Sequence, residues 1–126
     1  MKSQQRACVA FLCALPAASP AVECTQFREG STPWATCQSA QTFENADRSL
    51  GTIYGKVLAT LDKRDRLKER QALIESQQTW ISFREKQCEF EQKLAGGAGD
   101  ATLMDCKATL TDERRKFLER VLRGER

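Results

Sequence analysis

Histidine is absent from this sequence. Its absence removes the Ser–His and Cys–His nucleophile pairs and every imidazole metal site. No Cys-x-x-Cys pair is present either, so the common thiolate zinc frameworks are missing. No segment alternates with the period of two that marks a half-buried strand, and no apolar run is long enough for a membrane helix. The glycine-rich stretch AGGAGD (95–100) does not fit the strand–loop–helix pattern of a phosphate loop. Carboxylates are plentiful, but they alternate with Lys and Arg as they do on solvated helix faces. Glu89 and Glu91, two residues apart, point to different sides of a helix, and a carboxylate hydrolase would need two exposed acids facing one cleft. The expectation is a non-catalytic protein with no metal and no cofactor.

The first residues are of another kind. MKSQQR is a short basic start, ACVAFLCALPAA is an apolar run of signal-peptide length, and SPA places small residues before a cut after Ala21. Residues 1–21 are therefore expected to be a signal peptide, and 22–126 one exported domain, periplasmic or secreted. Glu23 before Cys24 is foreign to a lipoprotein site, so no membrane anchor is expected in the mature form. That domain holds 18 Lys and Arg against 17 Asp and Glu. A net charge of +1 with both signs mixed along the chain gives no case for nucleic acid or an anionic membrane as partner. Cys8 and Cys13 leave with the signal. Cys24, Cys37, Cys88 and Cys106 remain, an even count that reads as two disulfides in a small exported domain.

The rest reads as helix. Phe43, Ala46, Leu50, Ile53, Tyr54, Val57, Leu58 and Leu61 recur at steps of three and four, which predicts a first helix from Trp34 to Asp62. Gly51 and Gly55 weaken it, and close helix packing is a conceivable reason for them. A break at LDKRDR follows, with Asp65 expected to cap a second helix from about Arg66 to Lys93. AGGAGDAT (95–102) is expected to interrupt the helix as a flexible connection. A third helix runs from about Thr102 to Leu122, with Thr102 to Asp105 resembling a capping box. Its apolar side is read as Leu103, Cys106, Leu110, Phe117, Val121 and Leu122, with Arg114 on the same side. The expected fold is all-α, an up-down-up bundle of three helices with two disulfides.

One stretch of helix two stands out. Gln77, Trp80, Arg84 and Cys88 fall on one narrow face, where a core stripe normally carries aliphatic residues. In an antiparallel hairpin, Asp47 comes opposite Arg84, Tyr54 opposite Gln77 and Leu50 opposite Trp80. The carboxylate can then meet the guanidinium, and the tyrosine hydroxyl the amide. Asp47, Tyr54, Gln77, Trp80 and Arg84 thus form a polar seam. It serves either as a structural lock, the preferred reading, or as a ligand site.

The same layout puts Cys37, Cys88 and Cys106 at one end of the bundle, with Cys24 on an arm beside them. Pairing Cys24 with Cys37 and Cys88 with Cys106 closes the shortest loops, although Cys24 also lies near Cys88 and Cys106.

ADRSLGTIY (46–54), QTWISFREKQC (78–88), the GG at Gly96 and Gly97, LTDERRKFL (110–118) and the four cysteines resemble the LprI-type domain, a bacterial family of exported proteins named for a lysozyme inhibitor. The resemblance covers essentially the whole mature chain. It implies that the four cysteines form disulfides and that Asp47, Leu50, Tyr54, Trp80 and Arg84 are signature positions. Gly51 departs from the pattern, where Asn is commoner. The role implied is binding of another macromolecule, with inhibition of c-type lysozyme the leading proposal. The alternative is a module that binds a peptidoglycan fragment or another envelope protein. Animal c-type lysozymes are basic and carry two carboxylates in the cleft, so a domain of charge +1 gains no general attraction to them. Contact is expected at a rigid loop: Gly30 to Pro33 and Gly96, Gly97 and Asp100 at the braced end, or Lys63 and Arg64 at the opposite tip. Oligomeric state is left open.

Overall fold

The computed structural model describes residues 23–125. The expected signal peptide and its cleavage point lie outside them. A short 3-10 turn, Cys24–Gln26, leads into α1 (Thr32–Lys63), α2 (Leu67–Ala95) and α3 (Gly99–Arg123), which run up, down and up. No strand occurs among the described residues, and none of their helices is long and apolar enough to cross a membrane. The disulfides are Cys24–Cys37 and Cys88–Cys106.

The helix ends show how local chemistry shapes the bundle. Ser31 caps α1 by accepting a hydrogen bond from the Trp34 amide, and Pro33 sits in the first turn, where its missing N–H costs nothing. At the other end the Arg66 amide donates to Leu61 O and the Asp65 amide to Asp62 O. That is a Schellman closure, with Asp65 in the left-handed conformation at φ 55°. Asp65 therefore terminates α1 and does not cap α2, whose N-cap is Arg66 without a side-chain cap bond.

The glycine-rich stretch is shorter as a break than its composition suggests. Gly96 turns the chain at φ 60°, Gly96–Ala98 forms a 3-10 turn, and α3 begins at Gly99. A β-carbon on Gly99 would lie 3.0 Å from the Gln92 backbone oxygen, so glycine permits the close junction of α2 and α3. Thr102 to Asp105 consequently lies inside α3 and not at its start. Gly51 and Gly55, by contrast, face open space, and close packing does not explain them.

The principal contact is between α1 and α3, the first and last helices, with the α2–α3 contact next and α1–α2 the sparsest. This turns α3 from its expected face. Cys106, Ala108, Thr111 and Leu118 are buried, whereas Phe117 and Val121 are exposed. Small residues let α3 approach α1 closely. The core is compact: Leu50, Val57 and Leu118, with Ile53, Tyr54, Leu61, Leu73, Trp80 and Leu122 packed around them. It lies toward the tip formed by the α1–α2 turn. The cysteine end relies on its two disulfides and on polar contacts.

Candidate functional site

The seam is centred on Arg84, whose side chain is only 8% exposed. One guanidinium nitrogen, Nη1, donates to Asp47 Oδ1 at 2.8 Å and to Thr111 Oγ1 at 2.9 Å, tying α2 to both other helices. Nε donates to Glu85 Oε1 at 3.2 Å. The guanidinium also lies over the rings of Phe43 and Trp80, 4.9 and 5.1 Å from their centroids, within cation–π range. Asp47 itself is 53% exposed, so the pair is buried on one side only.

A second arginine flanks the same tryptophan. Arg114 Nε donates to Gln77 Oε1 and its Nη2 to Ser76 Oγ, both at 3.0 Å. Its guanidinium lies between Trp80 and Phe117, at 5.7 and 5.3 Å. Burial pulls its pKa below the usual arginine value, and it remains a cation at neutral pH. Gln77 is thus matched by Arg114 of α3 and not by Tyr54, which packs against the core. The expected pairing failed here because α3 supplies the closer neighbour. Arg114 and Thr111 are the seam members that a two-helix comparison missed, although Arg114 does fall on an otherwise apolar strip of α3.

Glu85 joins this cluster to a third cation, with Lys107 Nζ 2.5 Å from its Oε2. Burial pushes the Glu85 pKa up, but Lys107 and Arg84 together overcome that and hold it below the usual carboxylate value. A carboxylate depressed in the folded state stabilises the fold above its unfolded pKa, and that stabilisation is lost as the pH falls through the folded value. Urea midpoints at pH 7 should therefore be lower for Glu85→Gln than for the wild type. The gap should narrow as the pH falls below the unfolded glutamate value and close once the folded side chain is protonated as well. An unchanged gap would show that Glu85 does not act through its charge.

The candidate contact loops lie at opposite ends. Lys63 and Arg64 close the α1–α2 turn, where Arg70 Nε also pairs with Asp62 at 2.8 Å. Gly96, Gly97 and Asp100 lie at the cysteine end, where Gln92 Nε2 donates to Asp100 Oδ1 at 3.0 Å. There the start of α3 meets the N-terminal arm around a groove of about 460 Å³, walled by Phe27, Pro33, Thr36, Ala40, Glu44 and Asp100. Pro33, Thr36, Ala40 and Glu44 follow at steps of three and four, which puts them on one side of α1. That spacing was the sequence signal for this wall. A larger groove of about 620 Å³ runs between α1 and α3, where Asp112 pairs with Arg115 and Lys116 and Glu113 adds a further carboxylate.

Charge is distributed unevenly between the two ends. The Asp47–Arg84–Thr111 layer cuts each helix near its middle. On the cysteine side, residues 23–48 and 84–113 hold eleven Asp and Glu against six Lys and Arg. On the tip side, residues 49–83 and 114–125 hold six against eleven. A nearly neutral domain is thus acidic at one end and basic at the other. No group of His, Cys, Asp and Glu that could hold a metal ion occurs among the described residues.

No match to a curated protein or to a solved structure reached significance. The family model described as lysozyme inhibitor LprI matches residues 24–118, from the first disulfide cysteine to the buried Leu118 of α3. The four disulfide cysteines, the Arg84 seam, α1, α2 and α3 as far as Leu118 fall inside that span, and the chain belongs to the lysozyme inhibitor LprI family.

Proposed function

We propose that this domain is an exported, non-catalytic binding protein that inhibits c-type lysozyme. The observation that carries the reading is the family match, which extends over both disulfides and all but the last turn of the bundle. Two features of the molecule support it. The arm and the start of α3 are each tied down by a disulfide, so a partner meets a surface whose ordering entropy has already been lost in folding. The acidic half also supplies the attraction to a basic enzyme that the net charge conceals. The polar seam, in this reading, holds the bundle together and takes no ligand, since the Arg84 guanidinium and two nitrogens of Arg114 are engaged within the fold.

The test is titration of the oxidised protein against a c-type lysozyme, following binding heat and lysis of cell walls together. Saturable binding with loss of lysis is the expected result. No heat and undiminished lysis at roughly 50 µM, equivalent to binding weaker than about −6 kcal/mol, would overturn the proposal.

A further inference from the structure

We infer that the groove at the cysteine end is the contact site, and that it receives a lysine or arginine side chain of the partner. Resting on the lysozyme reading for the identity of that partner, the inference adds which surface engages it and by what chemistry. Phe27 and Pro33 give the groove apolar walls, and Glu44 and Asp100 place carboxylates on its rim. An aliphatic stem ending in a cation matches such a combination: methylene groups cover the walls while the charged head meets the acids. Neither Glu44 nor Asp100 forms an ion pair with a cation among the described residues. Gln92 fixes one oxygen of Asp100 and leaves its charge uncompensated. Around the groove the whole half of the molecule is acidic, so the local contact and the long-range field favour the same partner.

Other surfaces fit a basic partner less well. The opposite tip carries Lys63, Arg64 and the surplus of cations, and would repel it. Phe83, Phe90 and Leu94 are exposed on α2, but the charges beside them are of both signs, Glu89 and Glu91 with Lys86 and Lys93, and select a basic partner less sharply. A second copy of this chain could present its basic tip to the groove in a head-to-tail contact. Sedimentation of the protein alone distinguishes that occupant.

The experiment compares the oxidised wild-type protein with Glu44→Gln/Asp100→Asn and with Phe90→Ser, each titrated against c-type lysozyme at low and physiological salt. Both rim residues are exposed, and circular dichroism of each variant verifies that it folds. The expected result is about tenfold weaker binding for the double variant, with a reduced dependence on salt, and unchanged binding for Phe90→Ser. Wild-type binding that the double variant retains in full would overturn the groove while leaving inhibition standing. Loss of binding in Phe90→Ser alone would do the same and move the contact to α2. No binding by the wild type would overturn both the groove and the lysozyme reading. Concentration-dependent self-association abolished by Glu44→Gln/Asp100→Asn would assign the groove to a second copy and overturn the inference.

Discussion

Arg84→Ala should destabilise the fold by about 3 kcal/mol, while Asp47→Ala should cost about 1 kcal/mol or less. The two residues form one ion pair, yet their surroundings differ. Arg84 is 8% exposed and lies among Phe43, Trp80, Thr111 and Glu85; Asp47 is 53% exposed. Removing the arginine empties a buried site, leaves fully buried Thr111 without this donor and takes away two ring contacts. Removing the aspartate leaves Arg84 with Glu85 and Thr111, and water reaches the vacated position. Chemical denaturation of both variants, read at constant slope, measures the ratio. Equal losses would mean that the ion pair itself carries the stability and that the burial of Arg84 does not.

The second large effect concerns the disulfides. Cys88→Ala/Cys106→Ala should lower stability by about 3 kcal/mol, a fall in Tm of roughly 10–20 °C for a domain of this size. The bridge closes a separation of 18 residues and joins α2 to α3 at a point where Cys88 is completely buried. Cys24→Ala/Cys37→Ala opens a loop of similar size, with a separation of 13, but releases only the arm that precedes α1. Its consequence should concentrate in fast hydrogen exchange at residues 24–31, with a smaller change in the midpoint. If the arm variant proved the more damaging, the N-terminal arm would have to be integral to the bundle.

Much of this molecule can be read from sequence because its signals are local. Steps of three and four in α1 predict a helix, and Thr32–Lys63 is one. Asp47 finds Arg84 because a tight turn fixes which residues of α1 and α2 face each other. The rotation of α3 was harder to see. Leu110, Phe117 and Val121 advertise one face, yet the buried line passes through Ala108, Thr111 and Leu118, because α3 settles closely on α1. Hydrophobicity alone ranks Thr111 as a surface residue, and only the Arg84 donor makes its burial favourable. Asp65 is ambiguous in sequence for a related reason: the same residue type caps a helix start and accepts the left-handed turn that ends one. Finally, Phe27, Glu44 and Asp100 come from three separate segments, and nothing short of the folded cysteine end brings them to one groove.

The dominance of the α1–α3 contact has a consequence for how the chain reaches its native state. Helical bundles usually fold fast because neighbouring elements in sequence pack on each other. Here the first helix finds its principal partner in the last, across the whole length of α2. A nascent chain that ends within α2 has made its α1–α2 hairpin but exposes the Leu50 and Val57 side that Leu118 later covers. Stable structure must therefore wait for the final turns of α3. Until they arrive, the apolar side of that hairpin stays uncovered and open to any machinery that handles incompletely folded chains.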